Sequence, residues 1–464
     1  MTRLLLVSSA AALALAGCAA GPDYGLPRTP APIAAERGTF ARANQGEVAS
    51  EPAARWWEAL NDASLNALVA EGLSKAPSLK AAAARVRQAR AALGEARTIG
   101  LPTAGASATA IGAHLPDGGP IQNGVLYSLG ADASWEVDLW GARRRGTEQE
   151  TAQVGTAQAR LADAQVTLSS DIARTYVALR ANQTSQALLE QQAAIDAELV
   201  QLAAQRYRAG TTPAQTVGGA RATAARTAGQ LAQSNAERQV LLDKLALLTG
   251  SEPGSLDARL GPASVPLPPA SVAVGDPTGL LRRRPDIRIA ERQLASATAQ
   301  VGIDVAKQFP KVSFMGLIGL GGSGPTDAFD PSNLTALALP RINWSFLDFG
   351  RNKARVRGSE AARDAAEAEY RQQVLAALQD AEASLTRFGS RRIELAQAST
   401  SSGHVGSVAR LQAQRARAGT IAQADALEAR RRQFDAELAE VEARSALTIS
   451  YIDLSKALGL GWRT

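Results

Sequence analysis

The clearest regular pattern in the chain is an alternation of apolar and polar residues that begins at Tyr127 and continues for about a dozen positions. Every second residue is apolar, Trp135 among them, and the positions between them include Asp132, Glu136 and Asp138. A strand with this alternation has one face in an apolar medium and the other in water, and its length suffices for a tilted membrane-spanning strand. The pattern also fits a soluble antiparallel hairpin that packs on one side only.

A second, less regular alternation lies further along the chain and includes Ile342, Trp344 and Phe346. A turn rich in glycine and proline precedes each alternating segment, as expected for hairpins. Two strand pairs are therefore predicted, over residues 102–140 and 310–349.

Two stretches without proline, residues 142–207 and 351–415, predict very long helices. At 1.5 Å per residue each would be on the order of 100 Å long, and this length favours coiled-coil packing. Each stretch ends at an Ala-Gly pair. Gly210 and Gly419 fit the left-handed position that ends a helix.

A second helix is predicted directly after each of these glycines. The sequence Thr-x-x-Gln begins at Thr212 and at Thr420 and fits a capping box, in which the threonine hydroxyl caps the new helix. Each half of the chain is therefore predicted to end in a long helical hairpin, over residues 142–249 and 351–458.

The two halves repeat the same features at an offset of about 208–209 residues, which indicates an internal duplication. Trp135 corresponds to Trp344, and RYRAGT from Arg206 corresponds to RARAGT from Arg415. A segment rich in proline and glycine separates the halves. The predicted organisation is a signal peptide (1–17), an extended tether (18–62), a first repeat (63–250), a linker (251–276), a second repeat (277–460) and a C-terminal end (461–464).

Composition argues against an enzyme and against nucleic-acid binding. Aromatic residues make up 4% of the chain, and the net charge of +6 is spread among acidic and polar neighbours without a basic stripe. His114, His404 and the single cysteine, Cys18, provide neither a multi-ligand metal site nor a catalytic triad. No catalytic residue, metal or cofactor is expected, apart from a covalent lipid.

The N-terminus reads as a targeting signal. Arg3 is followed by an apolar segment that is too short to span a bilayer. The segment ends in LAGC at Cys18, which resembles the lipobox of bacterial lipoproteins. We therefore expect cleavage before Cys18 and lipidation of its thiol, including palmitate. Ala19, where an aspartate would favour the inner membrane, points to the outer membrane.

Four predicted strands cannot close a barrel, which needs about eight, and lipid does not tolerate open sheet edges. Three copies of four strands would give a closed barrel of twelve. If Trp135 faces lipid, Asp132, Glu136 and Asp138 line its lumen. The predicted fold class is a mixed α/β membrane protein, with a trimeric 12-stranded transmembrane β-barrel and a long coiled-coil α-helical barrel.

With these features the chain resembles the TolC/OprM-type outer-membrane efflux channels, in their lipoprotein (NodT-like) branch. The resemblance covers the mature chain and rests on Cys18 with GPDY (21–24), RWW (55–57), WEVDLWG (135–141), RYRAG (206–210), LRRRPDI (281–287), QFP (308–310) and ALGLGW (457–462). It implies a homotrimeric, passive small-molecule duct, anchored by lipid in the outer membrane with a large periplasmic helical extension. Its implied partners are a periplasmic adaptor and an inner-membrane transporter, usually proton-driven.

The resemblance also implies where the partners meet the channel. The two Ala-Gly turns would lie at the periplasmic tip, where Arg206, Gly210, Arg415 and Gly419 would contact the adaptor. The same residues fit a purely structural role as helix caps.

Asp425 and Glu428 stand where the family carries acidic residues at the closed aperture. They are three residues apart and share a helix face, so three copies would surround the opening with carboxylates. The alternative is that they only complement the helix dipole. Their first-half equivalents are Thr216 and Gly219, so the gate depends on the second half.

Two other functions remain open. A type I protein secretion channel shares the fold, although the lipobox favours small-molecule efflux. A periplasmic coiled-coil scaffold lipoprotein shares the long helices, but it does not explain the alternating strands or the duplication.

Overall fold

The computed structural model describes residues 19–25, 30–43, 47–113 and 124–462. Cys18 and His114 lie outside these ranges. The helices are α1 (Pro32–Arg37), α2 (Ala63–Lys75), α3 (Pro77–Thr98), α4 (Ala142–Arg208), α5 (Ala214–Thr249), α6 (Pro277–Arg283), α7 (Pro285–Ala306), α8 (Arg351–Arg417) and α9 (Gln423–Ala457). The strands are β1 (Glu47–Val48), β2 (Thr103–Ala113), β3 (Gly124–Val137), β4 (Val272–Ala273), β5 (Lys311–Gly322) and β6 (Leu334–Asn343).

The four longer strands form one antiparallel sheet in the order β2-β3-β5-β6. Trp135 lies opposite Phe314, and their stacked rings are 6.0 Å apart. Because side chains alternate along a strand, Trp135 shares one face of β3 with Tyr127, and Asp132 and Glu136 lie on the other. The strand predicted from Tyr127 onwards is therefore confirmed.

The long helices are also confirmed. α4 and α8 contain 67 residues each, which corresponds to about 100 Å. α5 and α9 follow them after short turns and contain 36 and 35 residues. Among the helices described, none has the length together with the apolar character that crossing a membrane requires.

The chain divides into two compact units. One contains the four-stranded sheet and the other contains most of the helical hairpins. The first comprises Met1–Arg28, Arg85–Gln158 and Ile289–Arg371, and the second comprises Thr29–Ala84, Ala159–Arg288 and Gln372–Thr464.

In the second unit α2 packs against α5, and its side chains also contact α4. Leu65 and Ile172 are fully buried. A Cβ on Gly72 would lie 2.4 Å from Cδ1 of Ile172, so the close approach of the helices needs glycine there. The Tyr176 hydroxyl donates to Asp62 at 2.6 Å, and the same carboxylate caps α2. Burial and this hydrogen bond to Asp62 raise the pKa of Tyr176 to about 12.

Both predicted capping boxes are wrong. The cap residues are Pro213 for α5 and Ala422 for α9, and neither side chain makes a capping hydrogen bond. The Thr420 hydroxyl instead donates to the carbonyl of Arg415 at the end of α8. The Thr212 hydroxyl donates to another threonine one turn later. Thr420 therefore contacts the end of the preceding helix, and Thr212 contacts a side chain in the first turn of α5.

The second alternating segment is shorter than predicted. β6 ends at Asn343, so Trp344 and Phe346 lie beyond the strand. The indole N–H of Trp344 donates to the carbonyl of Gln308 at 3.0 Å. This contact joins the indole to the segment that follows α7.

Candidate functional site

The two long helices end in the same turn. Gly210 and Gly419 have φ values of 71° and 72°. The Gly210 amide donates to the carbonyl of Tyr207 at 3.0 Å, and the next amide donates to the carbonyl of Arg206 at 2.9 Å. The same pair of bonds recurs at Gly419, where Arg415 supplies the carbonyl. This is the Schellman arrangement, and it confirms the predicted glycine caps.

The surface around both turns is exposed to solvent. The side chains of Arg206 and Arg415 are exposed, and neither forms an ion pair with any residue in the described ranges. A Cβ on Gly210 or Gly419 would meet no atom within 4 Å. The glycines are thus required by backbone conformation and not by lack of space. Adaptor contact at these four residues stays a prediction.

The predicted acidic pair lies in the first turns of α9. Asp425 and Glu428 are both exposed. Glu428 accepts from the guanidinium of Arg431 at 3.3 Å, whereas the Asp425 carboxylate contacts no polar group in the part of the chain that is described. The equivalent Thr216 in α5 is neutral and accepts a hydrogen bond from Thr212. The two carboxylates are available to a neighbour, and their role as a gate stays a prediction.

The acidic residues of the sheet have different surroundings. Asp132 lies opposite Gly105 on the polar face of β3. Glu136 lies on the same face and pairs with Lys311 of β5 at 3.1 Å. Asp138 follows the end of β3 and accepts from the backbone amide of Arg144 at 3.1 Å. Asp138 therefore caps the start of α4. Of the three predicted lumen residues, only Asp132 and Glu136 lie within β3.

The polar face continues into an apolar patch that the alternation in β3 did not predict. Leu317 of β5 lies opposite Asp132 on one side and Leu337 of β6 on the other. Met315 and Leu339 form the next pair on the same face. All four apolar side chains are between two-fifths and one-half exposed. This face is therefore acidic along β3 and apolar along β5 and β6.

Cys18 lies outside the described residues, but the segment that follows it is held tightly. Arg145, which is 2% exposed, donates to the Asp23 carboxylate at 2.7 Å and to the carbonyl of Ala20 at 3.2 Å. A Cβ on Gly302 would lie 2.9 Å from that carbonyl. A buried arginine and a glycine thus form a fitted seat for the residues next to the predicted lipidation site.

A buried charge cluster is centred on Arg284. Its guanidinium contacts Asp286 at 2.7 Å and Asp380 at 3.0 Å and donates to the carbonyl of Ala457 at 2.7 Å. Burial alone would raise the pKa of Asp286, but the hydrogen bonds and charge of Arg284 hold that pKa below its ordinary value. Burial raises the pKa of nearby Asp163, and the negative charge of Asp286 adds to the effect. The cluster joins the end of α6 and the start of α7 to the middle of α8 and the end of α9.

Comparison with known proteins assigns the fold to one family. A family model described as Outer membrane efflux protein matches residues 68–251 and 277–460, one segment in each half. Nodulation protein T of Rhizobium leguminosarum bv. viciae is 30% identical over 83% of this chain and 79% of its own length. The pyoverdine export outer membrane protein OpmQ of Pseudomonas aeruginosa is 30% identical over 88% of each chain.

The solved structure of the outer-membrane channel OprN superposes with a TM-score of 0.87 and is 33% identical. The superposition covers 96% of this chain and all of that one. The sheet and both long hairpins therefore have counterparts in a known channel.

Proposed function

The chain belongs to the outer membrane efflux protein family, and from this premise we propose that it is the outer-membrane channel subunit of an efflux pump. It acts as a passive duct through which small molecules leave the periplasm. A small-molecule cargo is favoured because the relative OpmQ is named for pyoverdine export. The family consists of channel proteins rather than enzymes.

The observation that carries this proposal is the four-stranded sheet. Leu129 is 40% exposed and Ile318 is 52% exposed on one face, and the edge strands β2 and β6 pair with no further strand of the described chain. Exposed apolar faces of this size mark a membrane or partner contact, and a lipid-facing sheet must be closed. Three copies of four strands close it as a twelve-stranded barrel.

Internal duplication accounts for the matching halves. α3 and α7 contain 22 residues each, and α4 and α8 contain 67 each. The indole N–H of Trp135 donates to the carbonyl of Gly100 at 3.0 Å, and that of Trp344 donates to the carbonyl of Gln308 at the same distance. Equivalent tryptophans therefore make equivalent contacts, which supports one ancestral repeat.

The helical hairpins lie in the periplasm and join the channel to its partners. A periplasmic adaptor binds the two exposed turns through Arg206 and Arg415, and Gly210 and Gly419 give the turns their shape. The adaptor connects the duct to an inner-membrane transporter, which is proton-driven in this proposal. The open surface around both glycines supports this contact.

The resting duct is narrowed by Asp425 and Glu428. In a trimer each residue recurs three times around the axis, so carboxylates surround the aperture. Such a ring attracts cations and is costly to dehydrate. Their exposure on α9 supports this role, and the adaptor opens the ring when it binds.

Cys18 carries the lipid anchor in this proposal. The seat formed by Arg145 holds the next residues against the unit that contains the sheet. Acyl chains on Cys18 would then enter the same membrane that surrounds the strands. The seat would thus position the lipid anchor beside the strands, a role that formation of the barrel alone does not require.

The proposal is tested by single-channel conductance of the purified protein in planar bilayers. Wild type should give small, cation-selective currents, and Asp425→Ala/Glu428→Ala should give larger ones. The matched control is Glu369→Ala/Glu442→Ala, which removes two other exposed carboxylates and should leave the conductance unchanged.

Each other outcome removes a different part of the proposal. Wild-type pores that the gate variant does not alter would keep the channel and eliminate the acidic gate. A folded protein that gives no pores at all would eliminate the channel and favour the scaffold lipoprotein.

A further inference from the structure

An exposed apolar run connects β6 to α8. It consists of Trp344, Phe346, Leu347 and Phe349, which are 53%, 77%, 69% and 91% exposed. The rings of Trp344 and Phe346 lie 5.8 Å apart. Large apolar side chains that are exposed together mark a contact with a partner or a membrane. The apolar run therefore lies against something apolar in the working protein.

An exposed basic run follows directly in the first turns of α8. It consists of Arg351, Lys353 and Arg357, which line an open cavity of about 890 Å³ together with Phe349. None of the three basic side chains forms an ion pair within the ranges that the structure describes. Their charges are available to an external anion.

The acidic residues at this cavity, Asp348 and Glu360, offset the basic run only in part. The Asp348 carboxylate accepts from the amide of Gly350 at 3.0 Å and from that of Asn352 at 2.8 Å, so it is occupied in capping α8. Glu360 lines the far side of the cavity. Three cations therefore face two carboxylates, which leaves the cavity with a net positive charge.

Basic residues in the first turn of a helix oppose its dipole, yet both long helices begin with them. α4 starts with exposed Arg143 and Arg144, which follow Leu139, an apolar residue that is 37% exposed. The chain thus places cations next to exposed apolar residues at both junctions between strand and helix.

We propose that the apolar run and the basic run together bind an anionic phospholipid of the membrane leaflet on the periplasmic side. The acyl chains lie on the apolar run, and the phosphate is held by the basic run. Arginine binds phosphate through two parallel hydrogen bonds, and basic clusters beside a membrane-spanning region bind anionic headgroups. This inference depends on the proposed function, because it requires the strands to cross the membrane.

The test reconstitutes the full-length protein into phosphatidylcholine vesicles that contain either brominated phosphatidylglycerol or brominated phosphatidylcholine. Bromine quenches tryptophan fluorescence on contact. The quenching that is due to Trp344 is obtained by subtracting the quenching measured in Trp344→Phe from that measured with Trp344 present. The test variant is Lys353→Gln/Arg357→Gln. The matched control, Arg221→Gln/Arg226→Gln, removes two exposed cations from α5.

Wild type and control are expected to show the same preference for brominated phosphatidylglycerol at Trp344. In the test variant, the ratio of quenching at Trp344 by brominated phosphatidylglycerol to quenching by brominated phosphatidylcholine should fall about tenfold. Each basic residue near an anionic surface contributes roughly 1 kcal/mol, which sets about 30-fold as the upper limit for two.

The inference is overturned if wild type shows no preference for the anionic lipid, or if the test variant keeps it. Retained preference with a trimer that dissociates at lower temperature would assign the basic run to a neighbouring protomer instead. Absence of quenching at Trp344 by both lipids would count against the membrane placement itself and thus against the proposed function.

Discussion

Arg284→Ala removes the centre of the buried charge cluster. The change leaves Asp286, whose side chain is 27% exposed, with only the amide of Ile287 and the side chain of Gln373 as hydrogen-bond donors. Breaking a buried pair by removing one partner costs about 3–5 kcal/mol. The two remaining donors and the partial exposure of Asp286 and Asp380 place the expected loss below this range, at about 2 kcal/mol.

The assay is thermal unfolding of the detergent-solubilised protein, followed by circular dichroism at pH 7.5. Because the entropy of unfolding grows with chain length, each kcal/mol should shift Tm by only roughly 1–2 °C in this protein, so Arg284→Ala should lower Tm by about 2–4 °C. Arg282→Ala is the matched control because Arg282 belongs to the same run of three arginines but is exposed. Its expected shift is small, within about 0.5 kcal/mol.

The pH dependence gives the same prediction a second measurement. The pKa of Asp286 is lowered in the folded state, so its stabilising contribution is present above the unfolded pKa and is lost as pH falls through the folded pKa. The difference in Tm between wild type and Arg284→Ala should therefore shrink in acid. Equal shifts for the Arg284 and Arg282 variants at pH 7.5 would refute the reasoning.

The remaining predictions concern single contacts. Asp23→Ala should raise amide hydrogen exchange in the segment seated on Arg145 and cost about 0.5–1 kcal/mol, because the Asp23 carboxylate is largely exposed and Arg145 keeps Glu148 as a partner; unchanged exchange would contradict the seat. Gly210→Ala should destabilise by about 1 kcal/mol because φ is positive, whereas Gly218→Ala, in a helix interior with free space, should stabilise by a similar amount in thermal unfolding. Asp163→Asn should raise Tm at neutral pH, because the raised pKa of Asp163 shows that its charge is destabilising, and the gain should disappear as pH falls through that pKa.

Local patterns predicted the long elements of the fold. The alternation from Tyr127 requires only neighbouring residues, and so does the absence of proline over the long helices. The glycine caps were predictable for the same reason, since Gly210 and Gly419 each stand directly after a long stretch without proline. These signals are contained within a few turns or one strand.

Contacts between distant residues explain what the sequence did not predict. The seat for the N-terminal segment joins Arg145 to Asp23 across 122 positions, and no local pattern marks Arg145 as buried. The capping boxes were wrong because α5 and α9 begin later than predicted, so Pro213 and Ala422 occupy the cap positions and the threonines precede them. The segment after β6 leaves the ladder at Trp344, whose indole N–H contacts the carbonyl of Gln308, 36 positions away.

The most direct test of a membrane-spanning sheet is cysteine scanning along β3 in native outer membranes, with a charged maleimide that cannot cross lipid. Ser134→Cys and Asp132→Cys should react because they face the aqueous lumen. Ala133→Cys and Ala131→Cys should be protected because they face lipid, which gives reactivity a period of two residues. Equal reactivity at all four positions would mean that both faces of the sheet are in water, and would contradict the channel.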